Sequence, residues 1–326
     1  MNGKRIGTIG VMTSGGDAPG MNSCIRAVVR TAMANGVNVL GVEGGYDGLL
    51  AGRYTRLGLR DVGGILQRGG TILQTARSEE LSSDETRTRV MREMNNAGMD
   101  ALVVIGGKTS IASAAALAER GVTLIGIPAS IENEVYGTDM CIGVDTALNT
   151  IVDAIDKIRD TASSHTQAFL VETMGRDSGY LALQAAIITG AEMALIPELE
   201  TPVDEVVEMV ESAYRRGKTH CIIVVADGSH PQANELAEKI DSMDTGFATR
   251  VSILGHIQRG GKPSAFDRLL SSRFGMWAVQ YLLQGEHGVM VGLNGREIRC
   301  VPLADVVSKQ RSLPMDYYEM AKVLAK

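Results

Sequence analysis

The amino-acid sequence predicts an α/β protein made of two doubly wound, mainly parallel-sheet domains. Three observations carry that expectation. Short apolar runs alternate with helix-period segments along the chain, the pattern of parallel strands covered by helices on both faces. Three strand ends open into glycine-rich turns, TSGGDAPG, IGGKTS and MGRDSG. The 326 residues are enough for two domains with a substantial core, and no Pro- or Ser-rich linker separates them.

Taken in order, IGTIGVM reads as the first strand, followed by a Gly/Pro turn and the helix MNSCIRAVVRTAMANG. Met21, Ile25, Val28, Val29 and Ala32 fall on one face of that helix, and Gly36 ends it. VNVLGVE, ALVVIGG, VTLIGIP, AFLVETMG, MALIPE, HCIIVVAD and RVSILGH read as further strands. Between them lie helical stretches such as TALNTIVDAIDKIRDTA, where Leu148, Ile151, Ile155 and Ile158 share a face. The glycine turns are similar devices at strand ends, not a repeat of fixed period.

Composition removes several function classes. A formal net charge of −6 argues against a general nucleic-acid or anionic-membrane binder, and 4% aromatics argues against base-stacking platforms. Cys24, Cys141, Cys221 and Cys300 are scattered without a C-x-x-C pair, so neither a zinc site nor a disulfide framework is suggested. The N-terminal MNGKRIGTIG lacks a signal-peptide core, and no run of about 18 apolar residues marks a membrane span. A reducing cytoplasm is the expected location.

In open parallel sheets, ligands bind beyond the carboxyl ends of the strands. All three glycine turns fall there. Glycine lets backbone N–H groups approach phosphate oxygens closely, and a helix beginning at such a turn aims its positive end at them. Taken alone, a paired glycine is also an ordinary tight turn. The middle turn is unusual because Lys108 stands where phosphoryl-transfer sites often place a metal-holding carboxylate.

TSGGDAPGMN, the SIENE segment followed by GTD, MGRDSG, and LGHIQRGG with the later Asp267-Arg268 pair together resemble the bacterial-type ATP-dependent 6-phosphofructokinases along nearly the whole chain. The resemblance implies an interdomain cleft holding the active site and transfer of the ATP γ-phosphoryl group to O1 of fructose 6-phosphate in glycolysis. By analogy, 1–143 and 258–308 form a larger nucleotide-binding domain, and 144–257 and 309–326 a smaller sugar-phosphate-binding one. The implied assembly is a homotetramer, or a mixed assembly with an active paralogue.

On the nucleotide side, the resemblance implies roles for Gly15, Gly16, Tyr46, Arg77, Gly107, Lys108, Thr109 and Ser110. Tyr46 matches a position beside the adenine or ribose, and Arg77 one that reaches the transferring phosphoryl group. Thr109 and Ala129 do not match the pyrophosphate-using pattern, so ATP or ADP is the expected nucleotide. At the reaction centre the family reads G-G-D-G-S, whereas this chain has Gly106, Gly107, Lys108, Thr109 and Ser110. An ammonium about 4 Å from a magnesium ion would repel it by at most roughly 8 kcal/mol at an effective dielectric of 20. Magnesium, expected from the family, is therefore weakened or lost at this position. Glu132 and Glu134 replace two shorter aspartates, the first of which is the general base. Lys108 is positioned to contact phosphate oxygens directly or to bridge to Glu132.

On the sugar side, the implied residues are Ser130, Met174, Gly175, Arg176, Asp227, Arg250, His256 and Arg259, with one arginine reaching in from a neighbouring subunit. Two guanidiniums suit a phosphate dianion. Asp227 replaces a longer Glu, and Gln167 stands where the family has an interface arginine. A nucleotide effector pocket is implied at Arg26, Arg30, Arg159, Glu192, Arg216 and Lys218, with Arg60 a further candidate and Glu192 matching a residue that helps hold magnesium on a bound diphosphate. Two functions follow from the resemblance and its departures: a working phosphotransferase with reduced activity, or a regulatory protein that binds nucleotide or sugar phosphate with little turnover.

Overall fold

The computed structural model of the protein describes residues 6–76 and 83–325. The chain forms two compact units, one from the segment ending at Thr146 together with Arg259–Arg311, the other from Ala147–Gln258 together with the segment from Ser312 onward. The strands are β1 (Thr8–Ser14), β2 (Asn38–Val42), β3 (Tyr54–Leu57), β4 (Ala101–Gly106), β5 (Leu124–Pro128), β6 (Gln167–Thr173), β7 (Met193–Leu195), β8 (His220–Ala226), β9 (Ala248–Ile253), β10 (Val289–Asn294) and β11 (Glu297–Pro302). The helices are α1 (Met21–Ala34), α2 (Gly45–Leu50), α3 (Asp84–Asn96), α4 (Lys108–Ala118), α5 (Val144–His165), α6 (Tyr180–Thr189), α7 (Val203–Arg215), α8 (Ala233–Ser242), α9 (Ala265–Leu283), α10 (Leu303–Ser308) and α11 (Met315–Leu324).

The first unit holds a seven-stranded sheet in the order β11-β10-β5-β4-β1-β2-β3. Its inner pairs, β1–β2, β1–β4, β4–β5 and β5–β10, are parallel. Both edges are antiparallel, through β2–β3 and β10–β11. The sequence reading lacked β3, β10 and β11. Every residue of β4 and β5 is buried, as expected of strands covered on both faces. By contrast β3 and β11 mix exposed and covered positions on the sheet edge, so they carry no continuous apolar signal.

In α1 the stripe Met21, Ile25, Val28, Val29 and Ala32 is fully buried. At about 1.5–3 kcal/mol for each larger aliphatic side chain, that burial outweighs the few tenths that separate helix propensities. The stripe packs on α9, where a methyl group on Gly275 would lie 2.7 Å from the Cys24 carbonyl oxygen. The second unit holds the four-stranded, all-parallel sheet β7-β8-β6-β9. Its core gathers Leu170, Leu195, Val206, Val210, Ile223 and Phe247. In α5, Ile151 and Ile155 are buried as the helical spacing predicted.

Two features of topology position the site residues. In the first sheet, the order of strand addition reverses between the parallel neighbours β1 and β4, with β2 and β3 on one side and β5 on the other, and the strand ends Ser14 and Gly106 are in register. The first two glycine turns therefore sit together at the switch point where α/β sheets bind ligands. In the second sheet, Thr173 lies opposite Ala226 and Glu172 opposite Ile253. That brings the turns after β6, β8 and β9 to one end of the sheet.

Candidate functional site

At the switch point, Gly15 follows β1 with φ +83°. Its N–H donates to the Ala76 carbonyl at 3.1 Å, and its carbonyl accepts from the Thr75 hydroxyl at 2.8 Å. The Gly15 amide is thus engaged by its own chain rather than turned toward a phosphate. Gly16 serves a different need. A methyl group there would lie 2.2 Å from Arg259 Nη1, so glycine makes room for a guanidinium resting on the turn. Arg259 Nη1 donates to the Asp17 carbonyl at 3.0 Å, and its Nη2 lies 3.7 Å from Glu132 Oε1. The guanidinium joins the first turn to the carboxylate expected to act as base.

The second turn is held by Glu134. Its Oε1 accepts from the Lys108 N–H at 3.3 Å, and its Oε2 accepts from the Ser130 hydroxyl at 2.5 Å. Gly107 is the N-cap of α4 and supplies no side-chain cap; Glu134 performs that task from another loop, placing negative charge at the helix's positive end. The Glu132 N–H donates to Ser130 Oγ at 3.3 Å, so Ser130 organises the two-glutamate loop. Lys108 and Thr109 are exposed, whereas Ser110 is buried.

Several sequence expectations change here. Glu132 is paired with Arg259, not Lys108, and the Lys108 ammonium forms no ion pair among the described residues. Tyr46 is buried, and its hydroxyl donates to the Ser110 carbonyl at 3.0 Å. It packs beneath the second turn and presents no face to an adenine. Arg77 lies outside the described residues.

The donor set does not fit a catalytic magnesium ion at the second turn. Both oxygens of Glu134 already accept hydrogen bonds, Glu132 faces a guanidinium, and the remaining side chain is a cation. Among the described residues, no three His, Cys, Asp or Glu side chains gather as a metal site.

In the second unit, the turn after β6 is pinned from two sides. The Met174 N–H donates to Gln258 Oε1 at 3.2 Å, and the Gly175 N–H to Asp227 Oδ1 at 2.9 Å. The Asp227 N–H returns a bond to the Thr173 carbonyl at 2.9 Å. A methyl group on Gly228 would lie 1.9 Å from the Arg176 carbonyl oxygen, so glycine is needed for the two turns to touch. Arg176, Asp227 and His256 are exposed around this end. Burial raises the Glu172 carboxyl above its usual range, with Asp227 adding repulsion. Gln258 and Gly228 were missing from the sequence expectations; the former lies inside the quoted LGHIQRGG, where a Gln next to a glycine turn is easily taken for a surface residue.

Gln167 and Arg250 lie elsewhere. Gln167 is the first residue of β6 and pairs with Ala248 and His220. Six strand steps of about 3.3 Å place it ~20 Å from the Thr173 end. Arg250 is opposite Phe169, within the strand, and donates to the Thr249 carbonyl at 2.8 Å. Within one chain, then, these two residues do not join His256.

Among the expected effector residues of the second unit, Glu192 pairs with Lys218 at 3.1 Å and accepts from the Ile222 N–H at 2.6 Å. Both of its oxygens are engaged, which leaves it a poor magnesium ligand in this state. Lys218 also donates to the Ala325 carbonyl at 3.3 Å. Arg159 donates to the Thr189 carbonyl, while its buried Nε has no partner among the described residues. His220, absent from the expectations, lies 2.9 Å from Ser163 Oγ, and burial lowers its pKa. Arg216 is exposed at the end of α7, and Arg26 and Arg30 lie on α1 of the first unit. Arg60 is exposed.

No helix among the described residues is long and apolar enough to cross a membrane. A family model described as Phosphofructokinase matches residues 8–282. The chain is 47% identical over 321 residues to the ATP-dependent 6-phosphofructokinase of Thermotoga neapolitana, covering 97% of this chain and 99% of that one. It is 46% identical to the protein of the same name from Halalkalibacterium halodurans, over 97% and 99% of the two chains. Among solved structures, Pichia pastoris phosphofructokinase in the T-state superposes with a TM-score of 0.89 at 34% identity. That match covers 94% of this chain, which spans 36% of the Pichia chain's length. The paired glycine turns at the switch point, the loop of Glu132 and Glu134, and these near full-length similarities lead to one conclusion: the chain belongs to the phosphofructokinase family.

Proposed function

We propose that the protein transfers the γ-phosphoryl group of ATP to O1 of fructose 6-phosphate, slowly, because its reaction centre has been recharged. The observation that carries this reading is the near full-length similarity to proteins named ATP-dependent 6-phosphofructokinase. Glu132 accepts the O1 proton, O1 attacks the γ-phosphorus, the bond from that phosphorus to the β,γ-bridging oxygen breaks, and ADP leaves. The Arg259 guanidinium lies beside Glu132, and a guanidinium there can offset the charge that develops on a transferring phosphoryl group. Lys108, Thr109 and Ser110 at the start of α4 receive the nucleotide phosphates, and Arg77 the transferring group. Met174, Gly175, Arg176, Asp227 and His256 receive the sugar phosphate. The larger unit is the nucleotide side and the smaller the sugar side.

Gln167 and Arg250 act on a neighbouring copy in a homotetramer, consistent with their distance from the Met174 end of the sheet. Arg26, Arg30, Arg159, Glu192, Arg216 and Lys218 form a nucleotide effector site. The setting is glycolysis in the cytoplasm. A coupled assay of ADP release with fructose 6-phosphate, ATP and magnesium tests the main reading. Turnover above that of Glu132→Gln supports it; turnover equal to that variant removes it.

A second reading is favoured by the Glu134 carboxylate, which already caps α4 beside a Lys108 ammonium that forms no ion pair among the described residues. In that reading the chain binds nucleotide or sugar phosphate as a regulatory subunit of an active paralogue. Turnover of the purified chain matching that of an active phosphofructokinase would exclude it.

A further inference from the structure

One side chain ties together the two turns at the carboxyl end of the second sheet. Gln258 is fully buried. Its Oε1 accepts from the Met174 N–H at 3.2 Å, and its Nε2 donates to the Gly255 carbonyl at 2.9 Å. A primary amide suits this position because one group supplies both an acceptor and a donor. The β-ladder has ended by this point: the last register pairs are Thr173 with Ala226 and Glu172 with Ile253. The amide therefore fixes what the ladder no longer does. On one side it holds the turn that bears the exposed Arg176; on the other it holds the 3-10 turn Gly255–Gln258 that bears the exposed His256. An exposed side chain is only as well placed as the backbone beneath it.

We propose that Gln258 is a positioning residue for phosphorylated-sugar binding: its buried amide sets the spacing between the Met174–Arg176 turn and the His256 turn. The proposal rests on reading this end of the sheet as the sugar-phosphate side. Gln258 touches no ligand itself. Its loss loosens the two turns and leaves the β6–β8–β9 ladder and the apolar core in place, so sugar-phosphate affinity falls more than fold stability does.

The test is calorimetric titration of fructose 6-phosphate and of ADP into the wild-type protein, Gln258→Met and Gln258→Glu. Gln258→Met keeps the volume and removes both bonds; sugar-phosphate affinity drops by about tenfold or more while ADP affinity stays within about twofold. Gln258→Glu supplies a readout that a merely structural role would not move. Full burial at this position raises a glutamate carboxyl above its ordinary value of about 4.3, so near about pH 5 the protonated form both accepts and donates, and near about pH 8 the carboxylate only accepts. Relative to wild type at the same pH, sugar-phosphate binding is restored in acid and lost in base. If Gln258→Met fails to fold, this pH-dependent rescue carries the test alone. Unchanged sugar-phosphate affinity in Gln258→Met, or equal losses for both ligands, overturns the positioning role while leaving the sugar-phosphate reading intact. A wild-type protein that binds ADP but no fructose 6-phosphate overturns both.

Discussion

The turn at the end of β4 and the turns at the end of β6 are stabilised by different means. At the β4–α4 turn, charged side chains hold the backbone: Glu134 caps α4 through the Lys108 N–H, Arg259 faces Glu132, and a guanidinium lies on Gly16, while the Lys108 ammonium itself is exposed. At the β6 end, a neutral buried amide and one aspartate hold the backbone, while Arg176 and His256 remain exposed. The Glu132–Arg259 pair must be separated before either group serves a ligand, whereas the exposed Lys108, Arg176 and His256 side chains need no such separation. On the proposed function, the first end is where the chemistry would be restrained and the second where binding would be retained.

The same contrast appears in two aspartates that hold backbone N–H groups. Asp267 is fully buried and accepts from Gly143 N–H at 2.9 Å, from Thr146 N–H at 2.8 Å and from the Thr146 hydroxyl at 2.5 Å. Burial pushes its carboxyl up to about 6 even though these bonds pull it down. Asp227 is exposed and accepts from a single N–H.

The largest expected effect comes from breaking the charge arrangement at the first end. Lys108→Asp with Thr109→Gly should raise ADP release by about a hundredfold, the scale of a misplaced catalytic group, and the gain should vanish on chelation of magnesium. An unchanged rate would mean that the paired glutamates, not the lysine, restrain the reaction.

A smaller effect is expected at Asp267. Between its ordinary value of 3.8 and about 6, the native state binds more protons at this group than the unfolded state does. Its contribution therefore makes stability fall as pH rises through that window. Asp267→Asn should cost about 1–3 kcal/mol, because the new amide turns a donor toward backbone donors. Denaturant melts from pH 4 to pH 6 should also show a flatter slope than wild type. An unaltered slope would locate the titration elsewhere.

The smallest effect sharpens the contrast at the second end. Asn at position 227 retains an oxygen for Gly175, so Asp227→Asn should change stability by less than about 0.5 kcal/mol. Removing its charge also removes a repulsion on Glu172, whose carboxyl should titrate at lower pH when followed by NMR. A large stability loss would show that charge, not geometry, holds the β6 turn.

The parallel strands were legible because a strand covered on both faces must be apolar along its length. The edge strand β11 and its hairpin partner β10 were not. β10 and β11 form a hairpin around Gly295, at φ +59° in LNGRE; that Asn-Gly pair is a hairpin signal, but the flanking edge strand is too polar to read as core. The glycine turns were legible as places of close approach, but not in what approaches: at Gly16 it is Arg259, which lies 243 positions later in the chain. The burial of Tyr46 beneath the second turn was not legible, because a tyrosine beside glycines looks the same whether it faces a ligand or lies under a turn. The separation of Gln167 from Met174 was available from counting, since the two bracket a single strand.

Sequence alone determined the alternating architecture, the buried stripe of α1 and the membership of the chain in its family, because periodicity and short motifs are local properties of consecutive residues. Tertiary structure decided which charges neutralise one another. Glu132 meets Arg259 and Asp267 meets Gly143 and Thr146 only after distant segments pack. A side chain's charge is written in the sequence, but its partner and its burial, which set what that charge can do, are properties of the folded molecule.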